Sequence, residues 1–203
     1  MKLHALALIS IALLSAFSAH AVEIPITSLP VTITKPGNYY FVANMYYAVT
    51  VEPAPLTPVA ITVNAPGPVT IDLRGFSLSG PAVQYVNGEP TNSTAIGISI
   101  QSSNVTIKNG SIAGFYNSIL ATNPNPGPFL TEIDLEKLVF SGADDYSVNF
   151  NAVNNSVIRN CDFRYGRVMT TAEAGGVSRS RRGQPLTYDF GMLTEKRVTT
   201  SSD

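Results

Sequence analysis

Two adjacent acidic residues are the side chains of this sequence best suited to chemistry. Asp144 and Asp145 stand together in the segment from Gly142 to Phe150. Two carboxylates in close contact cannot both ionise freely, so the pKa of one of them rises, and a raised pKa is what a general acid at neutral pH requires. The pair is therefore the candidate for acid–base catalysis. A solvated turn is the alternative interpretation of the same two residues.

Basic side chains follow this acidic pair in the sequence. Arg159, Arg164 and Arg167 lie close together, with Asp162 among them. Arginine pairs well with negatively charged groups, and clustered aspartate oxygens suit Ca²⁺. A basic binding surface and a calcium site are both chemically reasonable here. Clusters of this size also arise by chance, so a solvated surface is the alternative.

The first 21 residues have the composition of an export signal. Lys2 and His4 precede an apolar run over 5–17, and the small-x-small triplet 19–21 follows it, in the order of a signal peptidase site. The run is shorter than the roughly 20 apolar residues of a transmembrane helix. We therefore expect cleavage after Ala21 and a secreted protein, periplasmic or extracellular and of a bacterial kind, without a membrane span. A buried helix is the alternative.

Several other kinds of site are excluded by what the chain lacks. Both histidines, His4 and His20, lie in the predicted export signal, so the exported protein has none. Cys161 is the only cysteine, and by itself it forms neither an intramolecular disulfide nor a cysteine zinc site. The formal net charge of −1 gives no electrostatic reason to bind nucleic acid. We therefore expect no nucleic-acid partner.

Four segments in the middle of the chain share one pattern: a short β-rich strand, a polar corner and a second short strand that ends near glycine. They span 71–80, 105–114, 133–142 and 157–166. The first and the third match without a gap. Apolar and polar residues alternate in the strands, with Val69, Ile71 and Leu73 on one face. Residues 81–95, rich in proline and polar side chains, read as an inserted loop.

Short strands at a period in the twenties, without helices between them, predict a solenoid in which each turn adds one strand to several parallel sheets. A single turn cannot bury its apolar residues, so these must stack on their equivalents in neighbouring turns. The corners need residues that tolerate a left-handed backbone. Asn109 and Asn160 are placed for such a corner, because asparagine adopts that geometry at low cost. Contact with a ligand is the alternative role for these two residues.

Several strings of residues resemble the right-handed parallel β-helix repeats of the pectate-lyase-like superfamily. They are V-T-I-D-L-R-G-F-S-L-S-G (69–80), G-I-S-I (97–100), V-T-I-K-N-G-S-I (105–112) and S-V-I-R-N-C-D-F (156–163). The string L-P-V-T-I-T-K-P-G-N-Y-Y-F-V (29–42) is similar to the strand and turn that open such domains. The fold predicted is all-β, a short right-handed parallel β-helix with an N-terminal cap.

The resemblance also implies a division of the chain and a function. The predicted parts are the signal peptide (1–21), the N-terminal cap and first strands (22–60), the β-helix coils (61–167) and a tail without the repeat (168–203). The protein is expected to act on, or bind, polysaccharide or a cell-surface glycan. The alternative is a non-enzymatic adhesin, carbohydrate-binding or structural module. Acids and bases clustered on one sheet face would favour the enzyme, and a bare or aromatic groove would favour the binder.

Two kinds of polysaccharide cleavage are implied by the resemblance. Asp144 and Asp145 resemble the paired aspartates of polygalacturonase-type hydrolases, in which one acid protonates the glycosidic oxygen and a base prepares water. The Asn-Thr-Asp, Gly-His-Gly and Arg-x-Lys motifs of those enzymes are absent. A lyase would instead use a calcium ion held by Asp144, Asp145 and Asp162, with an arginine as the base. Arg159, Arg164 and Arg167 are the candidates for that base and for binding an acidic glycan.

The composition changes near the end of the repeats. Seven of the eight arginines lie in 156–203, and 168–203 contains neither asparagine nor isoleucine. A solenoid needs a terminal cap over its last turn, and the tail offers only fragments such as 186–190 for one. We therefore expect a product that is truncated or changes reading frame near Arg167.

Overall fold

The computed structural model describes residues 22–48, 57–81, 94–125, 127–143 and 145–164. It also describes the strands at 85–86, 89–90, 167–170, 175–177 and 186–191. The predicted export signal lies outside the described residues. No helix in these segments is long and apolar enough to cross a bilayer.

All regular structure in the described segments is β-strand, as the sequence predicts. In chain order the strands are β1 Glu23–Ile26, β2 Val31–Ile33, β3 Gly37–Phe41, β4 Met45–Tyr46, β5 Val59–Val63, β6 Val69–Asp72, β7 Ser77–Ser79, β8 Tyr85–Val86, β9 Glu89–Pro90, β10 Ile96–Ile100, β11 Val105–Ala113, β12 Asn117–Thr122, β13 Leu130–Thr131, β14 Ile133–Ser141, β15 Tyr146–Asn151, β16 Val153–Asn154, β17 Ser156–Arg164, β18 Arg167–Thr170, β19 Gly175–Val177 and β20 Leu186–Gly191.

Two large sheets contain most of these strands. Sheet A has the order β1-β3-β6-β11-β14-β17-β20-β19, with β7 paired to β11 and β4 paired to β7. Sheet B has the order β2-β5-β10-β12-β15-β18. The chain passes back and forth between the two sheets and, up to β18, adds strands to each in sequence order; nearly all the pairs are parallel. This arrangement is compatible with a parallel β-helix.

In-register apolar residues form the core. In sheet A, Ile71 pairs with Ile107, Ile107 with Leu135 and Leu135 with Ile158, and none of the four is exposed. In sheet B, Ile61, Ile98, Ile119 and Val148 form a second such row. Burying each of these side chains contributes roughly 1.5–3 kcal/mol relative to exposure. Because each residue stacks on its equivalent, neighbouring strands stabilise one another.

Left-handed residues recur where the strands of sheet A bend. Asn109, Lys137 and Asn160 occupy one register position in β11, β14 and β17, and their φ angles are 58°, 53° and 55°. Before the same strands, Asn104, Glu132 and Asn155 have φ angles of 62°, 60° and 47°. Asparagine adopts this backbone readily, whereas Lys137 and Glu132 each accept a cost of about 1 kcal/mol. The first row lies within the three strands, and the second row, which we call the ridge, lies at their start.

The gap-free match of 71–80 with 133–142 is wrong in its first half. Ile71 is in register with Leu135 through Ile107, not with Ile133. Leu78 is in register with Phe140 through Ile112, as the match requires. The difference arises because Arg74 and Gly75, at φ 51° and 84°, add two residues to this corner.

Strand structure continues beyond the last predicted coil. β18 pairs with β15 in parallel, with Val168 opposite Val148. β20 pairs with β17 in antiparallel orientation, and β19 pairs with β20 in the same way. Within the predicted loop 81–95, β8 and β9 form a small antiparallel pair.

Candidate functional site

A column of alternating charges runs across the outer face of sheet A. Asp72, Lys108, Glu136 and Arg159 are in register on β6, β11, β14 and β17. Parallel strands lie about 4.8 Å apart, so each charge faces one of opposite sign on the next strand. Lys108 Nζ lies 3.8 Å from Asp72 Oδ2. The sheet thereby collects acids and bases from distant parts of the chain on one face.

Arg159 joins this column to the neighbouring one. Its Nη2 donates to Asp134 Oδ2 at 2.5 Å and to Glu136 Oε2 at 3.3 Å. Asp134 and Glu136 lie two residues apart on β14, so the alternation of a strand points both side chains outward. The single guanidinium holds the two carboxylates side by side.

An open groove of about 380 Å³ lies beside Asp134. It runs along the ridge at the start of β11, β14 and β17. Its lining residues are Pro68, Asn104, Thr106, Glu132, Ile133, Asp134, Asn155 and Val157. The groove thus presents two carboxylates, two amides and a hydroxyl, and no basic side chain lines it.

The environment of Asp134 changes the pKa of its carboxyl group. Burial raises the pKa of this carboxyl, the Arg159 guanidinium lowers it and the Glu136 carboxylate raises it again, with a net increase. Oδ2 accepts from Arg159, whereas Oδ1 is shielded from solvent and has no hydrogen-bond partner among the described residues. A shielded acceptor without a donor is unfavourable by about 1–3 kcal/mol. Asp134 therefore has one oxygen whose hydrogen-bonding capacity is unused among the described residues, and this oxygen becomes available to a ligand only when the carboxylate turns toward the groove.

The pKa of Glu136 is shifted in the opposite direction to that of Asp134. A hydrogen bond from Lys137, whose Nζ lies 2.9 Å from Oε1, is the main cause that lowers the pKa of this carboxyl, and Arg159 lowers it further. Two adjacent carboxyls with oppositely shifted pKa values are the usual arrangement of an acid and a base in one site.

The structure places the sequence-predicted residues in several locations. Asp144 lies outside the described residues. Asp145 is half-buried just before β15 of sheet B, and its N–H donates to the Tyr116 carbonyl at 3.0 Å. Arg164, at the end of β17, donates from Nε to Asp162 Oδ2 at 2.7 Å. The side chain of Arg167, in β18, lies outside the described residues.

Of the predicted arginines, only Arg159 is seen, among the described residues, in contact with an acid that lines the groove. Its carboxylate partners, Asp134 and Glu136, were not predicted from the sequence. Asp134, Glu136 and Glu132 lie more than 20 residues before Arg159 in the sequence. The signal that could have identified Asp134 and Glu136 is their alternation with the buried Ile133 and Leu135. That alternation shows that both acids point outward, but not which side chain of the next strand they meet.

Metal-ligating side chains and the cysteine are two further kinds of chemical group in the described part of the chain. No group of three or more His, Cys, Asp or Glu side chains in those residues could hold a metal ion. Cys161 is buried, and burial raises its pKa to about 11. The Cys161 thiol is thus protonated at neutral pH, and a protonated thiol is a poor nucleophile.

An exposed aromatic ring stands shortly before the lining residue Glu132 in the chain. Phe129 is 43% exposed and ends the loop that leads into β13, three residues before Glu132. Asn123 holds this loop, because its Nδ2 donates to the Pro128 carbonyl at 2.8 Å and its Oδ1 accepts from the Asn125 N–H at 3.0 Å. The ring is therefore presented on an ordered support.

Comparison with known proteins assigns no family or function to this chain. No protein-family model, no curated protein and no solved structure matches the chain. The function has to be argued from the groove and the residues around it.

Proposed function

We propose that this protein is secreted and binds polysaccharide in the groove beside Asp134, on the outer face of sheet A. The fold that we infer is a right-handed parallel β-helix with an N-terminal cap, of the pectate-lyase-like kind. The observation that carries the proposal is Asp134 itself, which lines the groove and whose Oδ1 has no hydrogen-bond donor among the described residues.

The chemistry of the lining suits the hydroxyl groups of a sugar. Asp134 and Glu132 offer carboxylate acceptors, and the side-chain amides of Asn104 and Asn155 offer both donors and acceptors. A hydrogen bond to a charged group contributes about 1.5–3 kcal/mol. A sugar hydroxyl that donates to Asp134 Oδ1, once the partly exposed carboxylate has turned toward the groove, would also remove the cost of an unsatisfied buried acceptor.

The exposed ring of Phe129, three residues before Glu132 in the chain, would supply an apolar contact to a ligand that extends beyond the groove. Sugar rings have apolar faces that stack on aromatic side chains, and such a contact adds to the hydrogen bonds of the groove. Because Asn123 holds the loop, little conformational entropy is lost when a ligand stacks there.

Glycoside hydrolysis in the same groove is the second candidate function. The observation that favours it is the pair of outward carboxyls, Asp134 and Glu136, held together by Arg159 with their pKa values shifted apart. Asp134 would protonate the glycosidic oxygen, and the ionised Glu136 would act on the sugar or on a water molecule. Hydrolysis would then decrease at low pH, where Glu136 is protonated, and at high pH, where Asp134 is ionised.

Binding and hydrolysis are separated by one set of measurements. The purified protein is titrated with soluble glycans by calorimetry, and release of reducing ends is followed over the same panel. Asp134→Asn should weaken binding about tenfold, because the amide cannot replace a charged acceptor. Asp162→Asn is the matched control, since Asp162 lies on β17 outside the groove. Equal affinity of the Asp134→Asn variant and the unmodified protein would refute the proposal, and release of reducing ends would establish hydrolysis.

A further inference from the structure

We infer that the groove selects uncharged polysaccharides and discriminates against polyuronates, whose sugars each carry a carboxylate. This inference rests on the proposed function and adds the charge class of the ligand to it. It differs from what the arginines Arg159, Arg164 and Arg167 suggest by sequence, which is a basic surface for an acidic glycan.

The charges of the lining support an uncharged ligand. Two of the eight lining residues, Glu132 and Asp134, are acids and none is a lysine or arginine. Glu132 is exposed on the ridge and has no ion pair among the residues that the structure describes. A uronate carboxylate in the groove would therefore meet like charge and no bare cation.

Three cations on the same strands as the lining residues are already paired with acids of the protein. Arg159 contacts both Asp134 and Glu136. Lys137 and Lys108 pair with Glu136 and Asp72, at 2.9 Å and 3.8 Å. To form an ion pair with a uronate carboxylate, one of these cations would have to weaken its ion pair with an acid of the protein. The negative charge of the ligand would therefore add little to the binding free energy.

Uncharged hydroxyls meet no such opposition. They can donate to the carboxylates of Asp134 and Glu132, and they can accept from the amides of Asn104 and Asn155. Like charges a few ångströms apart at a hydrated protein surface change an equilibrium by about fivefold at low ionic strength. We therefore expect at least this ratio between the uncharged and the acidic form of one backbone.

The experiment uses two matched pairs of polysaccharides, which differ in charge but share a backbone. They are methyl-esterified polygalacturonan against polygalacturonate, and hydroxyethyl cellulose against carboxymethyl cellulose. Affinities are measured with the whole protein at low and high salt. Within each pair that binds, the uncharged form should bind about fivefold more tightly at low salt, and added salt should reduce the difference.

Tighter binding of an acidic form, or equal affinity within a pair at low salt, overturns the inference while the proposed function stands. Failure of uncharged and charged glycans alike to bind overturns the proposed function itself. Preference for an amine-bearing glycan over an uncharged one, with steep salt dependence, also overturns the inference, because the groove would then select positive charge.

Substitution of Glu132 tests the origin of the selectivity. Glu132→Gln removes one charge from the groove with little change in size, and it should tighten binding of the acidic glycans about threefold to fivefold relative to the uncharged ones. Asp162→Asn makes the same change in net charge outside the groove and should leave the ratio unchanged. An unchanged ratio in folded Glu132→Gln contradicts the inference. Should that variant not fold, the salt dependence of the matched pairs decides the question.

Discussion

Removing the Arg159 guanidinium tests the arrangement of the groove most directly. In Arg159→Met, the charged end that donates to Asp134 at 2.5 Å and to Glu136 at 3.3 Å is lost, while the apolar stem is largely kept. Asp134, whose side chain is 25% exposed, then keeps a carboxylate that is partly withdrawn from water and has lost its cation. The folded state should be destabilised for this reason.

The size of the effect follows from the exposure of the pair. Hydrogen bonds to charged groups contribute about 1.5–3 kcal/mol when buried, and exposed ion pairs contribute about 0–1 kcal/mol. The Arg159 side chain is 42% exposed, which is intermediate, so we expect a loss of about 1–2 kcal/mol in the free energy of unfolding at pH 7. The corresponding decrease in Tm is about 2–8 °C for a chain of this length.

The loss should depend on pH. The folded pKa of Asp134 is raised, so this group opposes folding increasingly as the pH rises from its unfolded pKa through its folded pKa. The folded pKa of Glu136 is lowered, so its stabilising contribution is lost as the pH falls through the acid range. Arg159 assists both ionised carboxylates. Its removal is therefore most costly at neutral pH and least costly when both acids are protonated.

Urea unfolding followed by far-ultraviolet circular dichroism at pH 4 and pH 7 measures these differences. Arg164→Met is the matched control, because the Arg164–Asp162 pair is 63% and 51% exposed and should contribute less than about 0.5 kcal/mol. Combining Arg159→Met with Asp134→Asn should destabilise the protein less than the sum of the single changes. A loss equal to that of the control, a loss that does not change with pH, or strict additivity would refute the reasoning.

Two further substitutions test the fold, and a labelling experiment tests the buried thiol. Gly110→Ala should destabilise the protein by about 3 kcal/mol or prevent folding, because its Cβ would lie 2.6 Å from the Phe76 carbonyl oxygen; unaltered urea unfolding would contradict this. Ala152→Gly should stabilise it by about 0.5–1 kcal/mol, since Ala152 has a φ of 58°, and a lower Tm would contradict this. Cys161 should resist iodoacetamide at pH 8 in the folded protein and react in urea, because its pKa is about 11; rapid labelling of the folded protein, detected by mass, would contradict this.

Local features of the structure could be predicted from short stretches of sequence. The alternation from Val69 to Leu73 predicts which side chains are buried, because successive residues of a strand face opposite sides. Asn109 and Asn160 were placed at corners on the conformational preference of asparagine alone, and both have left-handed backbones. Lys137 shares that corner and carries no such signal, so it could be recognised only by its register with the two asparagines.

The candidate site depends on contacts between strands that are distant in the sequence, and no short stretch of sequence contains these contacts. The adjacent acids Asp144 and Asp145 attracted attention because they touch in sequence, whereas Asp134 and Arg159 meet across two strands of sheet A. Which side chains meet depends on how many residues each corner uses. The two extra residues at Arg74 and Gly75 displaced the gap-free match by two positions in this way.

The sequence by itself determined that the protein is built of β-strands, which residues of the alternating strands are buried and that Asn109 and Asn160 have left-handed backbones. These properties follow from interactions between residues close together in the chain. The tertiary structure alone decided that Asp134, Glu136 and Arg159 form one cluster. It also decided that this cluster lies beside a groove lined by Glu132, Asn104 and Asn155. Register between strands decided it, because buried apolar rows must align and the outward charges are carried into contact by that alignment.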